Sequence, residues 1–238
     1  MNRIVSTIAS VKAWLTTDNR TNDIAVFLFM LALSTTLFLT TSCDSHESID
    51  RNIRAGNVLC SDGMVMTADD AESQGKHVVA VVFQAPAPTG PGTALAVAID
   101  ALPPQAFSDT IGVSLGTSAD TAAYDGNTNT YAMYTASQPS SLAISVFDSW
   151  TYGQSAYIPS VAEMRLLHAA KDIVNPLLKR FGGDTISSEA RRTWHWTSTE
   201  VSGQQADKAW LYSLATGTMQ ETPKNEPHPA RAVVVVNK

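Results

Sequence analysis

Two cysteines, five histidines and one alternating Asp/Asn run are the side chains of this chain best suited to chemistry. Cys43 closes an uncharged run that starts at Ile24, a place where a thiol is open to acylation rather than to pairing. With Cys43 so modified, Cys60 has no second thiol in the chain, and a disulfide framework is excluded. Cys60 lies in the mixed stretch N-V-L-C-S-D-G, where a small half-buried side chain is the expected role and a reactive thiol the lesser one. His46, His77, His168, His195 and His228 are scattered, and no G-x-S-x-G marks a strained nucleophile turn, so serine-hydrolase chemistry has no frame. Asp125, Asn127 and Asn129 alternate so as to offer oxygens to calcium, but no later acidic ligand follows, and an Asx-rich turn is the expected reading. The sequence therefore predicts no catalytic residue, no metal site and no cofactor.

Arg3, Lys12 and Arg20 precede the apolar run, and Thr40, Thr41 and Ser42 lead from it into Cys43. That order resembles a bacterial lipoprotein signal peptide, with Thr40 where the usual lipobox has a leucine. The resemblance implies a signal over residues 1–42, lipidation at Cys43 and an acidic tether over 43–55, of which D-S-H-E-S-I-D is too polar to pack. The mature protein is then expected at the outer membrane or cell surface, held to the membrane through its lipid anchor. A retained transmembrane anchor is one alternative, since the run approaches the roughly 17–20 residues that span a bilayer. A buried helix is another.

The chain beyond the tether is long enough for one domain of ordinary size, out of 238 residues in all. The formal charge is −6, with 16 Lys+Arg against 22 Asp+Glu, and losing the three leader cations makes the remainder no less acidic. Nucleic acid is therefore excluded as a partner, because phosphate binding needs a basic field. Few charges and many Thr, Ser, Ala and Asn suit a β-rich extracellular surface.

Strands and a few short helices must position any site. Gly56 to Val65 predicts two short strands around a turn at Asp62-Gly63, and His77 to Phe83, apolar on both faces, predicts a central strand. Prolines and glycines from Pro86 to Gly92 break the chain before a strand over Ala94 to Leu102. Pro103 to Asn129 reads as a long ordered loop with a turn at Asp125-Gly126, and a helix is favoured around Ser140 to Phe147. Ser160 and Glu163 form a capping box, so a helix starts there; Val161, Met164, Leu167 and Ala170 recur at helical spacing along it. Asn175-Pro176 predicts a second short helix that Gly182-Gly183 ends, and everything from Thr193 onward reads as strand, with a turn at Thr216-Gly217.

Three segments share an order: D-G-N-T-N-T at Asp125–Thr130, Y-I-P-S-V-A-E-M at Tyr157–Met164, and W-T-S-T-E at Trp196–Glu200 with Ala209-Trp210, Gly217 and Arg231-Ala232-Val233. Together they resemble the C-terminal domain of bacterial collagen-like adhesins, related in fold to C-type lectins and formylglycine-generating enzymes. The resemblance covers residues 56–238 and implies an α+β, C-type-lectin-like domain of mostly antiparallel sheet with one or two packed helices. Formylglycine-generating chemistry would need cysteines in the C-terminal half, and none follows Cys60. Calcium-dependent sugar binding lacks its W-N-D motif.

Scaffold roles are expected for Asp125, Pro159, Ser160, Glu163, Trp196, Glu200 and Arg231. Pro159 sets the chain before the cap, Trp196 packs on the helix, and Glu200 pairs with Arg231 on a neighbouring strand. Recognition is expected from Arg192, Trp194, His195, Trp210, Tyr212, Asn225 and His228, with Thr222 to Pro229 as an exposed loop. Lys179, Arg180, Arg191 and Arg192 form the basic cluster of an acidic chain, suited to sulfated glycans or acidic partners, or else to a solvated helix end. The sequence thus predicts a non-enzymatic surface protein whose partner is a glycan or another surface protein. The alternative is a structural or tip accessory subunit of a surface filament.

Overall fold

The computed structural model describes residues 53–87, 90–150, 152–153, 155–187 and 193–236. All of them belong to one compact unit, Arg51–Lys238. The expected signal, Cys43, most of the tether, Arg191 and Arg192 lie outside the described residues.

The architecture is α+β: among the described residues, nine strands form one open, mostly antiparallel sheet, with five helices. The strands are β1 Val58–Cys60, β2 Val65–Met66, β3 Val78–Gln84, β4 Ala94–Ala106, β5 Ala156–Tyr157, β6 Trp194–Glu200, β7 Lys208–Ser213, β8 Met219–Pro223 and β9 Pro227–Val236. Their order is β2-β1-β3-β4-β9-β6-β7-β8, and β5 pairs with β9 as well. Strand β6 meets β9 in parallel, at Trp196 and Ala230, where the other pairings are antiparallel. The helices are α1 Ala68–Ser73, α2 Gly126–Thr135, α3 Ser141–Ser149, α4 Val161–Ala169 and α5 Lys171–Arg180.

Side-chain alternation assigns the two faces of the sheet to two cores. Ala94, Ala96 and Ala98 of β4 with Ala230, Ala232 and Val234 of β9 lie in the same core as Met133 of α2 and Leu142 and Val146 of α3. The intervening Leu95, Val97, Ile99 and Val233 join Val161, Met164 and Leu167 of α4 and Val174 and Leu178 of α5. Small residues on one face and branched ones on the other let each helix layer approach to its own distance. Each buried Leu or Val stabilises the fold by about 1.5–3 kcal/mol relative to exposure.

The early hairpin forms as expected, closed by Gly63 N–H to Cys60 C=O at 2.9 Å with Gly63 at φ 82. β3 is the central strand expected, paired with β1 and β4. Four expectations are corrected. Strand β4 runs on through Pro103 and Pro104 to Ala106, because its pairing with β9 jumps register at both bulges and leaves the prolines without ladder partners. Asp125-Gly126 is no turn but the start of α2. Helix α5 begins at Lys171 and carries Pro176 inside it, so Asn175-Pro176 starts nothing. Most of Thr222 to Pro229 is strand, at the end of β8 and the start of β9.

Gly182-Gly183 does end α5. Gly183 N–H reaches Leu178 C=O at 2.8 Å and Gly182 N–H reaches Lys179 C=O at 3.2 Å, with Gly182 at φ 75. That is a Schellman closure. A side chain at Gly183 would meet Ile99 Cγ2 at 2.2 Å, so the helix end sits directly on β4. Helix α1 has no signal above its short length; Thr67 caps it by accepting the Asp70 N–H at 3.1 Å.

Candidate functional site

The three motif segments, distant in sequence, meet at the N-terminus of α4. Ser160 caps the helix: its Oγ accepts the Glu163 N–H at 3.4 Å, while Glu163 Oε2 accepts the Ser160 N–H at 2.8 Å. Glu163 Oε1 accepts the Tyr157 hydroxyl at 3.2 Å, and Ser160 Oγ donates to Ala123 C=O at 2.8 Å. Gly126 is needed because a Cβ there would lie 2.2 Å from Glu163 Oε2 and 2.8 Å from both Ile158 O and Ser160 N. Thr130, one turn on, takes the Ile158 N–H at 2.9 Å and donates to Gly126 C=O at 2.8 Å. Strand β6 closes the junction: Ser198 N–H binds Pro159 C=O at 2.9 Å, and Thr199 Oγ1 accepts the Val161 N–H at 3.2 Å. Burial pushes the Glu163 carboxyl up to about 7 despite the Ser160 and Tyr157 hydrogen bonds that favour its charge. Tyr157 is pushed well above its ordinary range, by burial first and then by Glu163.

Asp125, Asn127 and Asn129 do not converge on an ion. Asn129 Nδ2 donates to Asp125 Oδ1 at 2.9 Å, Asn129 Oδ1 accepts the Ser118 N–H at 2.8 Å, and Asn127 is exposed. Among the described residues no group of three His, Cys, Asp or Glu is placed to hold a metal. Burial raises the Asp125 carboxyl.

Glu200 does not pair with Arg231. Its partner is Lys224, with Nζ 2.7 Å from Oε1 and both side chains at 0% exposure. Glu200 also accepts the Leu115 N–H at 2.8 Å and the Ser114 hydroxyl at 2.9 Å, and Lys224 Nζ donates to Val113 C=O at 2.8 Å. The Lys224 ammonium stands 5.7 Å from the centre of the Phe107 ring. Arg231 projects from β9 elsewhere and donates to Asp184 C=O at 2.6 Å, leaving Nε and Nη1 buried without hydrogen-bond partners among the described residues. Burial pulls its guanidinium down to about 10, against the charges of Asp184 and Asp100. The strand register explains the exchange. Arg231 pairs across with Ala101 of β4, whereas the turn between β8 and β9 brings Lys224 beside the end of β6.

Trp196 is fully buried. Its Nε1 donates to Gln105 C=O at 2.9 Å, Phe107 lies edge-on at 5.5 Å, and His228 meets it at 5.3 Å and 90°. It belongs to the core shared with α2 and α3, so it packs across the sheet from α4 rather than on it.

Of the residues expected to recognise a ligand, His195 and Tyr212 are cross-strand partners on β6 and β7 but are both buried. His195 and Tyr212 are 3% and 2% exposed. Burial, and secondarily the Arg231 charge, pulls His195 down to about 4, so it is neutral at pH 7, with Nδ1 2.9 Å from Thr193 O. Trp194 packs half-buried in one core and Trp210 in the other. Asn225 is exposed at the short β8–β9 turn, and His228, half-buried, lies against Trp196. Arg192 lies outside the described residues. Alternation along β6 and β7 divides these rings between two faces.

The basic cluster is partly neutralised, since Arg180 pairs with Asp69 at 2.8 Å and with Glu72, both on α1. His168 Nδ1 is 2.7 Å from Leu214 O. Cys60 is buried, and burial, and then Asp62, raises its thiol above the ordinary range. Lys224 escapes a reading of the sequence because nothing in T-P-K-N-E-P distinguishes a buried ammonium from a surface one. Among the described residues no helix is long and apolar enough to cross a membrane.

No protein-family model matches the chain, and no curated protein matches it.

Proposed function

We propose that this chain is a lipid-anchored surface protein that recognises a glycan or a surface protein without catalysis, through a C-type-lectin-like domain of residues 56–238. One observation carries the reading: the three segments that resemble the adhesin domain converge on a single buried junction, where Gly126, Thr130, Ser160, Glu163 and Thr199 hold one another. Motif residues so engaged serve as a frame rather than as reactive groups. The mixed, mostly antiparallel sheet with helices on both faces agrees with the coarser expectation of the fold. His195 and Cys60 are 3% and 1% exposed, so neither side chain is open to a substrate.

Two measurements test the proposal. Mass spectrometry of the mature protein is expected to find an acylated N-terminal Cys43; an intact, unmodified peptide from Thr41 to Asp50 rules out the anchor. Glycan and surface-protein arrays, run with and without chelator, are expected to return a signal that chelation does not change. Silence on both arrays refutes recognition.

A further inference from the structure

Strands β3 and β4 pair from Gln84 to Ala80, and the ladder stops at Ala80 opposite Ala98. Beyond that pair a cavity of about 520 Å³ opens, lined on one side by Val78 and Val79 and on the other by Ala98 to Pro103. Its size falls within the roughly 300–1,000 Å³ of small-molecule sites. Aromatic rings wall it. Trp150 and Tyr152 meet edge to face at 5.1 Å and 82°, and the His77 ring lies 6.2 Å from Tyr152, tilted by 51°. The floor includes the small side chains of Ala98 and Ala232.

The polar groups at this cavity are unevenly satisfied. Lys76 is tied to Asp62 at 2.6 Å, so its charge is matched. Asp100 is exposed at the cavity, its charge also acting on the Arg231 guanidinium. The indole N–H of Trp150 is buried without a partner among them. A ligand fitted to this wall needs a flat apolar face for the rings and a hydroxyl to donate to the Asp100 carboxylate. Hydrogen bonds to a charged acceptor are the stronger kind. Acidic ligands would meet the Asp100 charge and be disfavoured.

We infer that this cavity binds a neutral saccharide, one ring stacked on Tyr152 and edged by Trp150, with a hydroxyl donating to Asp100. The inference rests on the recognition reading above and names its ligand class and site. None of the residues expected from the sequence to touch ligand lines this cavity.

The full-length chain, purified in detergent, is applied to an array of neutral and acidic oligosaccharides beside its Tyr152→Ala, Asp100→Asn and Trp150→Phe variants, each checked for an unchanged Tm. The wild type is expected to bind neutral saccharides, and Tyr152→Ala and Asp100→Asn each to weaken binding by about tenfold. Trp150→Phe keeps a ring and is expected to retain more binding than Tyr152→Ala. Undiminished binding in both Tyr152→Ala and Asp100→Asn overturns the site, as does a preference for acidic saccharides. A wild type that binds no saccharide but binds a surface protein overturns this inference while leaving recognition intact. Silence towards both removes the two together.

Discussion

The junction beneath α4 and the cavity between β3 and β4 differ in how their polar groups are satisfied. At the junction both oxygens of Glu163 have donors, and so do both oxygens of Glu200. At the cavity the Trp150 indole N–H has no hydrogen-bond partner among the described residues, and the Asp100 carboxylate is exposed. The junction is built mostly of motif residues, whereas of the cavity's lining only Ala232 belongs to a motif segment. Satisfaction is not complete within the motifs, since Ser198, Trp210 and Arg231 also keep buried polar atoms without partners among the described residues, while the exposed Asp100 carboxylate lies outside them. Buried polar groups must be matched or the fold loses stability, so a frame constrains residue type in a way that an open cavity does not.

If that division is right, changes at the junction lower stability and changes at the cavity alter binding. The largest effect is expected from Lys224→Met, which strands the buried Glu200 carboxylate and costs about 3–5 kcal/mol in urea melts. The double variant Lys224→Met/Glu200→Leu should recover much of that loss, since removing both charges leaves no unpaired ion. A double variant no better than the single would show that the Leu115 and Ser114 contacts dominate instead. Gly126→Ala comes next, at about 1–3 kcal/mol, because its methyl would press on the backbone of Ile158 and Ser160. An unchanged Tm would mean the junction yields and is not rigid.

The pH dependence is smaller and has two opposing parts. Folded Glu163, at about 7, keeps a proton that the unfolded chain loses near the ordinary 4.5. Its contribution is full below the unfolded value and is lost as pH rises through about 7, by at most about 1.4 kcal/mol per pH unit. His195, lowered to about 4 from an ordinary 6.5, works the other way, its contribution being full above 6.5 and lost as pH falls towards 4. Between about 4.5 and 6.5 the slopes oppose, so wild-type stability is expected to be nearly flat there. Denaturant melts of Glu163→Gln across that window should uncover a rise with pH, and those of His195→Gln a fall. Variants that keep the wild-type slope would show that neither group is the source.

Ser160→Ala is expected to have the smallest effect, about 1 kcal/mol, from losing one helix cap and the donor to Ala123 C=O. Thermal melts together with saccharide binding complete the comparison. A junction variant that binds less while remaining as stable as the wild type would break the division between frame and site.

Much of the frame is legible in the sequence. The Ser160–Glu163 box, the Gly182-Gly183 stop, the Asp62-Gly63 turn and the two-sided β3 each depend on residues a few positions apart, or on one strand's own alternation. Asp125-Gly126 misleads because the dipeptide favours a turn locally, while here Gly126 is held by its contact with Glu163, distant in sequence. Pro176 misleads because proline usually starts a helix, yet α5 tolerates it inside. The candidate site is less legible. His195, Trp210 and Tyr212 are aromatic strand residues, and alternation fixes only which of them share a face, not which face is covered by helices.

The amino-acid order alone determined the acidic balance, the capping box that opens α4, the Gly182-Gly183 end of α5 and the two-sided β3. Tertiary structure decided that Glu200 meets Lys224 instead of Arg231, that Trp196 faces α2 and α3, and that β3 and β4 part to leave a ring-walled cavity. The physical reason is range. Caps and turns close hydrogen bonds across three or four residues, whereas ion-pair partners and cavities depend on the register of strands whose pairing is settled only when the whole sheet is assembled.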